Sequence, residues 1–274
     1  MKKFRIFLGY VTLILIALSM LYPFFAMVNL SLTGNNEIFS HAGRIFHGNL
    51  TFENYKNVFK EIPMGLYFFN SLLVASITTI GQVIFASLAG YAFARLNFKH
   101  KDALFLLILI TMLVPPQVNI IPLFFLMREL HLVDTYQALI LPALFGGFGV
   151  FLMRQYFLGF PKDLEESARI DGCNLFQTFF KIALPLALPA VATLAIFTFV
   201  TSWNSFMWPL IVTNSESMRT LPVGLAIYKG SFRELTLWGN LLACSVICTI
   251  PVTGVFLLGK KYFISDILQG GVKE

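Results

Sequence analysis

Long apolar runs alternate with short polar segments along the whole chain. Six runs contain no Asp, Glu, Lys, Arg or His: Ile6–Leu30, Phe68–Ala94, Ala103–Met127, Thr135–Met153, Leu186–Val212 and Leu237–Gly259. A helix needs about 20 predominantly apolar residues to cross the hydrocarbon core of a bilayer, and each run is close to that length. The pattern predicts an all-α membrane protein: one transmembrane domain over residues 1–274 with six spanning helices. Pro115, Pro116, Pro122, Pro142, Pro189, Pro209 and Pro251 fall inside the runs. In a helix bundle, neighbouring helices satisfy the carbonyls that such prolines free.

Composition agrees with the pattern. Hydrophobic residues make up 57% of the chain and charged residues 12%, with a mean hydropathy of +0.75. An average soluble domain is about 25% charged, so lipid is the solvent that this sequence fits. Lys2, Lys3 and Arg5 precede the first run. That run is longer than a signal-peptide core of roughly 7–15 residues, and no small-residue cleavage site follows it, so it reads as an uncleaved span.

Charge sets the orientation. Thirteen of the 20 Lys and Arg residues flank the runs on the side of Lys2, Arg95, Arg154, Lys181 and Lys260; seven lie on the other side, and the acids divide evenly. Cytoplasmic flanks carry the basic excess. Both termini and the Arg154–Pro185 segment are therefore expected in the cytoplasm, and the basic balance is topological. No basic patch with interleaved aromatics points to nucleic acid.

Several chemistries lack their residues. Proton- and sodium-driven carriers place ionisable groups or broken-helix ion sites within the membrane, and no span here holds an ionisable Asp, Glu, Lys, Arg or His. No G-x-x-x-x-G-K-[ST] phosphate loop occurs. Cys244 and Cys248 share a helix face but have no His or acid nearby, so they read as small packing residues, and Cys173 is given no role. No metal, cofactor or catalytic residue is expected, and the chain is not itself read as an enzyme.

The polar segment 158–185 carries most of the remaining information. Pro161 suits a first helical turn, and Asp163, Glu165 and Glu166 favour its positive end. Gly172 stands where a helix C-terminus would be capped and Asn174 where the next would start. The segment therefore predicts helix, turn, helix, with Leu164, Ala168, Phe176, Phe179 and Phe180 as apolar faces. That pattern fits a loop lying in the lipid interface as well as it fits a docking surface.

Glu166-Ser167-Ala168, three residues, Gly172, nine residues and then Ile182-x-Leu184-Pro185 resembles the EAA motif of bacterial ABC importer permeases, with Ser167 where the family usually has Ala. Asn70-Ser71, Pro115-Pro116-Gln117, Arg169-Ile170-Asp171-Gly172 and Gln269-Gly270-Gly271-Val272-Lys273 are similar to the carbohydrate-uptake subfamily, in particular its maltose-permease-like second subunit. The resemblance implies a multi-pass subunit of the bacterial inner or plasma membrane. Its partners would be a second permease, two ATP-binding cassette subunits that hydrolyse ATP, an extracytoplasmic solute-binding protein and a sugar. It also implies that Glu165, Glu166, Ser167, Ala168, Asp171, Gly172, Ile182, Leu184 and Pro185 belong to the ATPase-coupling loop. Glu166 would make a polar contact with the ATPase and Gly172 would supply the turn.

A sugar path needs hydroxyl-binding groups and an aromatic face. In the fifth run, continuous helical spacing would put Thr201, Asn204, Ser205 and Trp208 on one side. The same residues also fit helix–helix hydrogen bonding, with Trp208 in an interfacial belt. A stand-alone facilitator, a membrane assembly protein and an importer of glycerol-phosphate-type solutes are the rival readings. The absence of a basic group from the spans favours a neutral sugar.

Overall fold

A computed structural model describes residues 2–35, 37–38, 50–161, 163–231 and 237–270. Arg44, Lys162 and Arg233, which are among the 20 Lys and Arg residues counted for the orientation, and the tail from Gly271 lie outside these residues. Among the described residues the regular elements are helices, joined by turns and short loops, with one isolated bridge between Thr33 and Leu50. In order they form α1 (Lys2–Ser31), α2 (Glu53–Glu61), α3 (Met64–Arg95), α4 (Lys101–Thr111), α5 (Pro116–Glu129), α6 (Tyr136–Ile140), α7 (Gly147–Leu158), α8 (Asp163–Ile170), α9 (Leu175–Thr178), α10 (Leu184–Leu186), α11 (Leu188–Trp203), α12 (Met207–Val212), α13 (Leu221–Ser231) and α14 (Trp238–Gly270).

Four stretches are long and apolar enough to cross a membrane, Lys3–Ser31, Met64–Arg95, Tyr136–Leu158 and Trp238–Lys261, and there are up to six if each of two bent helix pairs counts as one. The bends occur where proline and turn chemistry interrupt a run. In the third run, α4 and α5 meet at 97°. Pro115 is extended (ψ 131°) and Pro116 opens α5, where a missing N–H costs no helical bond. The fifth run is also divided. The Leu175–Leu186 segment meets α11 at 76°, and α11 ends at Trp203. In a continuous helix the Pro209 ring would strike the Ser205 carbonyl and leave it without its donor. Instead, Asn204 caps α11 through its N–H to the Val200 carbonyl, and the Ser205 amide turns back to Ser202.

The chain forms two compact units. The first comprises residues Met1–Leu66 and Leu221–Pro251. The side chains of α1 from Lys3 to Phe25 are exposed almost throughout, as expected of a helix that lipid or another subunit must cover. Beyond α1, Asn54 is buried and its amide donates to the carbonyls of Ser31 (2.8 Å) and Thr33 (2.7 Å). Asn35 donates to the side-chain oxygens of Asn54 and Asn240, so α2 and the start of α14 share one polar network.

The second unit comprises Tyr67–Thr220 and Val252–Glu274. One core gathers Ala86 and Tyr91 of α3, Met153 and Phe157 of α7, Phe179, and Ala190 and Leu194 of α11. Another holds Val74, Met127, Ala138, Leu139, Ile140 and Val212. Small residues set the helix spacing: a Cβ at Gly90 would lie 2.6 Å from Met153 Cβ and 2.8 Å from the Arg154 amide nitrogen. Close helix contact through glycine is a common membrane packing device.

Candidate functional site

The described residues of segment 158–185 fold as a double turn. Asp163, Glu165 and Glu166 occupy the first turn of α8 and Arg169 the last, the arrangement that the helix dipole favours. Gly172 adopts φ +81°. The Cys173 amide donates to the Ala168 carbonyl (2.9 Å) and the Gly172 amide to the Arg169 carbonyl (3.0 Å); these two bonds make a Schellman cap. Open space surrounds Gly172, so its requirement is conformational rather than steric. Asn174 then opens α9 with a capping box. Its side chain accepts from the Gln177 amide, and its own amide donates to Gln177 Oε1, both at 2.9 Å. A π-helical turn, Phe179–Ala183, leads into α10 and Pro185.

The loop has an inner and an outer side. Ala168 and Phe179 are buried, and Ile182 and Leu184 are half-buried. Glu166, Ser167, Asp171, Gly172 and Pro185 are exposed, and around them Ile170 is 86% and Phe176 71% exposed. Glu165 differs from its neighbour Glu166: it turns inward to the end of α3, where its Oε1 lies 3.1 Å from Arg95 Nε. This is an ion pair without an aligned hydrogen bond. The Arg95 Nη2 group donates to the Phe160 carbonyl at 2.6 Å.

A cavity of about 570 Å³ opens in the same unit. Ser71, Thr78 and Gln82 of α3 and Thr198, Thr201 and Ser202 of α11 contribute polar groups, and Ser205, Trp208 and Thr220 complete that side. Phe145, Phe148 and Phe197 supply apolar wall, and among the described residues no charged side chain lines the space. The Thr78 and Thr220 hydroxyls are buried without a hydrogen-bond partner. Trp208, which lines the cavity, donates its indole N–H to the Ala138 carbonyl at 2.9 Å, and this bond holds the ring in place.

Of the four path residues read from the sequence, Thr201, Ser205 and Trp208 line this cavity. Asn204 is exposed and outside the lining. The single helical face does not exist, because α11 stops at Trp203. The α3 contribution was not singled out in the sequence. Its signal was present in the spacing of Ser71, Thr78 and Gln82, which recur at seven and four residues along one face of an apolar helix. Arg95 was read only as topological charge.

Outside the spans, Asp134 accepts the backbone amides of Asn214 (2.9 Å) and Ser215 (3.0 Å). Burial pushes its carboxyl up, but the hydrogen bonds from Ser215 and Asn214 outweigh this and hold it below its ordinary value. Next to this loop, the buried Asn70 amide donates to the carbonyls of Ser217 (2.8 Å) and Arg219 (2.9 Å).

Residues 82–267 match the family described as binding-protein-dependent transport system inner membrane component. The arabinooligosaccharides transport system permease protein AraQ of Bacillus subtilis is 40% identical over 280 residues, covering 99% of this chain and 98% of that protein. The trehalose/maltose transport system permease protein MalG of Thermococcus litoralis is 34% identical, covering 95% and 94%. The crystal structure of a bacterial ABC transporter involved in the import of the acidic polysaccharide alginate contains a chain that superposes with a TM-score of 0.83 at 25% identity, over 96% of this chain and 98% of that one.

Proposed function

The chain belongs to the family of binding-protein-dependent transport system inner membrane components, and on that premise we propose that it forms half of the translocation path of an ABC importer for a neutral sugar or oligosaccharide. The observation that carries the substrate class is the cavity. It offers hydroxyls, one carboxamide and a fixed indole ring, with no charge among the described residues that line it. Pockets of roughly 300–1,000 Å³ with a few placed polar groups are typical of small-molecule sites. A phosphorylated or uronic-acid sugar would call for a basic partner, and this lining provides none.

In this reading the bent pair of α4 and α5 counts as one span and the broken run of α11 and α12 as another, giving six, with both termini in the cytoplasm as the Lys and Arg distribution directs. A second permease completes the path and a solute-binding protein delivers the sugar at the outer face. One of two ATP-binding subunits docks on the exposed side of the loop, around Glu166, Ser167 and Ile170 of α8 and Phe176 of α9. Their closure on ATP is passed through the loop to the spans, so hydrolysis belongs to the partners.

Uptake tests this directly. Cells lacking the chain are offered a panel of labelled neutral oligosaccharides, sugar phosphates and uronic-acid oligosaccharides. Loss of uptake of a neutral oligosaccharide, restored by the intact chain and abolished by ATP depletion, is the expected result. Loss confined to an anionic substrate would contradict the assignment drawn from the cavity.

A further inference from the structure

Arg95 ends α3 with its side chain 6% exposed and its partner Glu165 14% exposed. A basic residue that only marks the cytoplasmic side would extend into water. Here the guanidinium is enclosed and addresses two elements at once, the Glu165 carboxylate of α8 and the Phe160 carbonyl between α7 and α8. A planar guanidinium can hold two acceptors in a fixed relation, which a lysine ammonium on its flexible stem does less well. One turn earlier on α3, Tyr91 packs its ring against Phe157 (5.4 Å between centroids) and Phe179 (5.2 Å). The cytoplasmic end of α3 therefore grips the loop at its entry, in its first helix and at its π-helical turn.

The covalent route out of the loop is a weaker link by comparison. Between α9 and α11 the chain passes through the π-helical turn and then bends by 76° at Ala187. By contrast, α3 is one continuous helix of 32 residues that presents Gln82, Thr78 and Ser71 to the cavity. A continuous helix transmits displacement along its axis, and the 13 helical steps from Gln82 to Arg95 span about 20 Å.

We propose that Arg95 is a positioning residue that clamps the coupling loop to α3, so that a displacement of the loop reaches the cavity through α3 as well as through α11. The inference rests on the reading of segment 158–185 as the ATPase-docking loop. A buried pair of this kind is sensitive to loss of one partner, which leaves the other charge uncompensated.

The test uses the importer complex purified through a tag on this chain, with Cys173, Cys244 and Cys248 replaced by serine. A single cysteine replaces either Gln82 on α3 or Thr201 on α11. Its maleimide labelling rate is compared without nucleotide and with ATP plus vanadate. With Arg95 intact, nucleotide changes the rate at both positions. In Arg95→Gln, the change is lost at position 82 and kept at position 201 while the ATPase subunits stay bound; Arg95→Lys recovers part of it. Retention at both positions, loss at both, or release of the ATPase by Arg95→Gln would overturn the clamp. Should Arg95→Gln fail to accumulate, Glu165→Gln, which leaves the Arg95–Phe160 bond in place, is read by the same criteria. Absence of ATPase subunits from the parent complex would refute the docking reading itself, and is thereby distinguished from failure of the clamp alone.

Discussion

The Tyr136 hydroxyl donates to the Asn70 side-chain oxygen at 2.6 Å while the Asn70 amide holds two loop carbonyls. One fully buried carboxamide thus ties α3 to α6 and to the segment before α13. In Asn70→Ala the Tyr136 hydroxyl and both carbonyls lose their partner, and a buried group left unpaired costs about 1–3 kcal/mol. The expected outcome is a clear fall in the temperature at which the detergent-solubilised protein aggregates, with a smaller fall for Tyr136→Phe, which removes a single bond. Size-exclusion chromatography after graded heating measures both.

Gly172 tests the double turn without touching its neighbours. The left-handed conformation costs a residue with a Cβ roughly 1–2 kcal/mol, and β-branching adds to the difficulty. Gly172→Val should insert normally but assemble poorly with its ATPase, whereas Gly172→Asn, which tolerates this conformation, should retain most assembly. Equal recovery of the ATPase with all three chains would contradict the conformational role.

The cavity separates residues that the sequence grouped together. Gln82→Leu, Thr201→Val and Ser205→Ala should each weaken uptake of the neutral substrate. A hydrogen bond worth about 1 kcal/mol corresponds to roughly a fivefold rise in the half-saturating concentration. Asn204→Ala, outside the lining, should leave uptake near the parental level. Initial uptake rates over a range of substrate concentrations distinguish the two groups.

Acid should loosen the loop around residues 213–220 through Asp134. Its carboxyl is held below the ordinary value of 3.8 by the Ser215 and Asn214 amides against the effect of burial. A group depressed on folding contributes stability above its unfolded value and loses it as pH falls through the folded one. Limited proteolysis of the 213–220 segment should therefore accelerate as pH drops below about 4, and Asp134→Asn should remove that part of the dependence.

Much of the architecture was legible because it follows from local rules. Apolar runs free of charge gave the long helices, and Gly172 and Asn174 gave the double turn by their capping chemistry. The breaks were less legible. Pro115-Pro116 and Pro209 stood inside runs whose hydropathy does not change across them, and proline inside a membrane helix is compatible with either a kink or a full break. Hence Asn204 was grouped with Thr201 on a helix that ends one residue earlier. The α3 share of the cavity was hidden because small hydroxyl residues in an apolar helix usually serve packing. Arg95 was hidden for another reason: a basic residue at a helix end already has an explanation in topology, and only its burial against Glu165 reveals a second one.

Co-purification bears most directly on the importer assignment. The tagged chain is extracted from its native membrane in several mild detergents and the proteins that accompany it are identified, for the parent and for Glu166→Lys. The expected result is a phosphate-loop ATPase and a second multi-span permease with the parent, and selective loss of the ATPase with Glu166→Lys, since Glu166 lies exposed on the outer side of α8. A chain that emerges alone from every detergent, or a Glu166→Lys chain that keeps its full complement of ATPase, would contradict the coupling account.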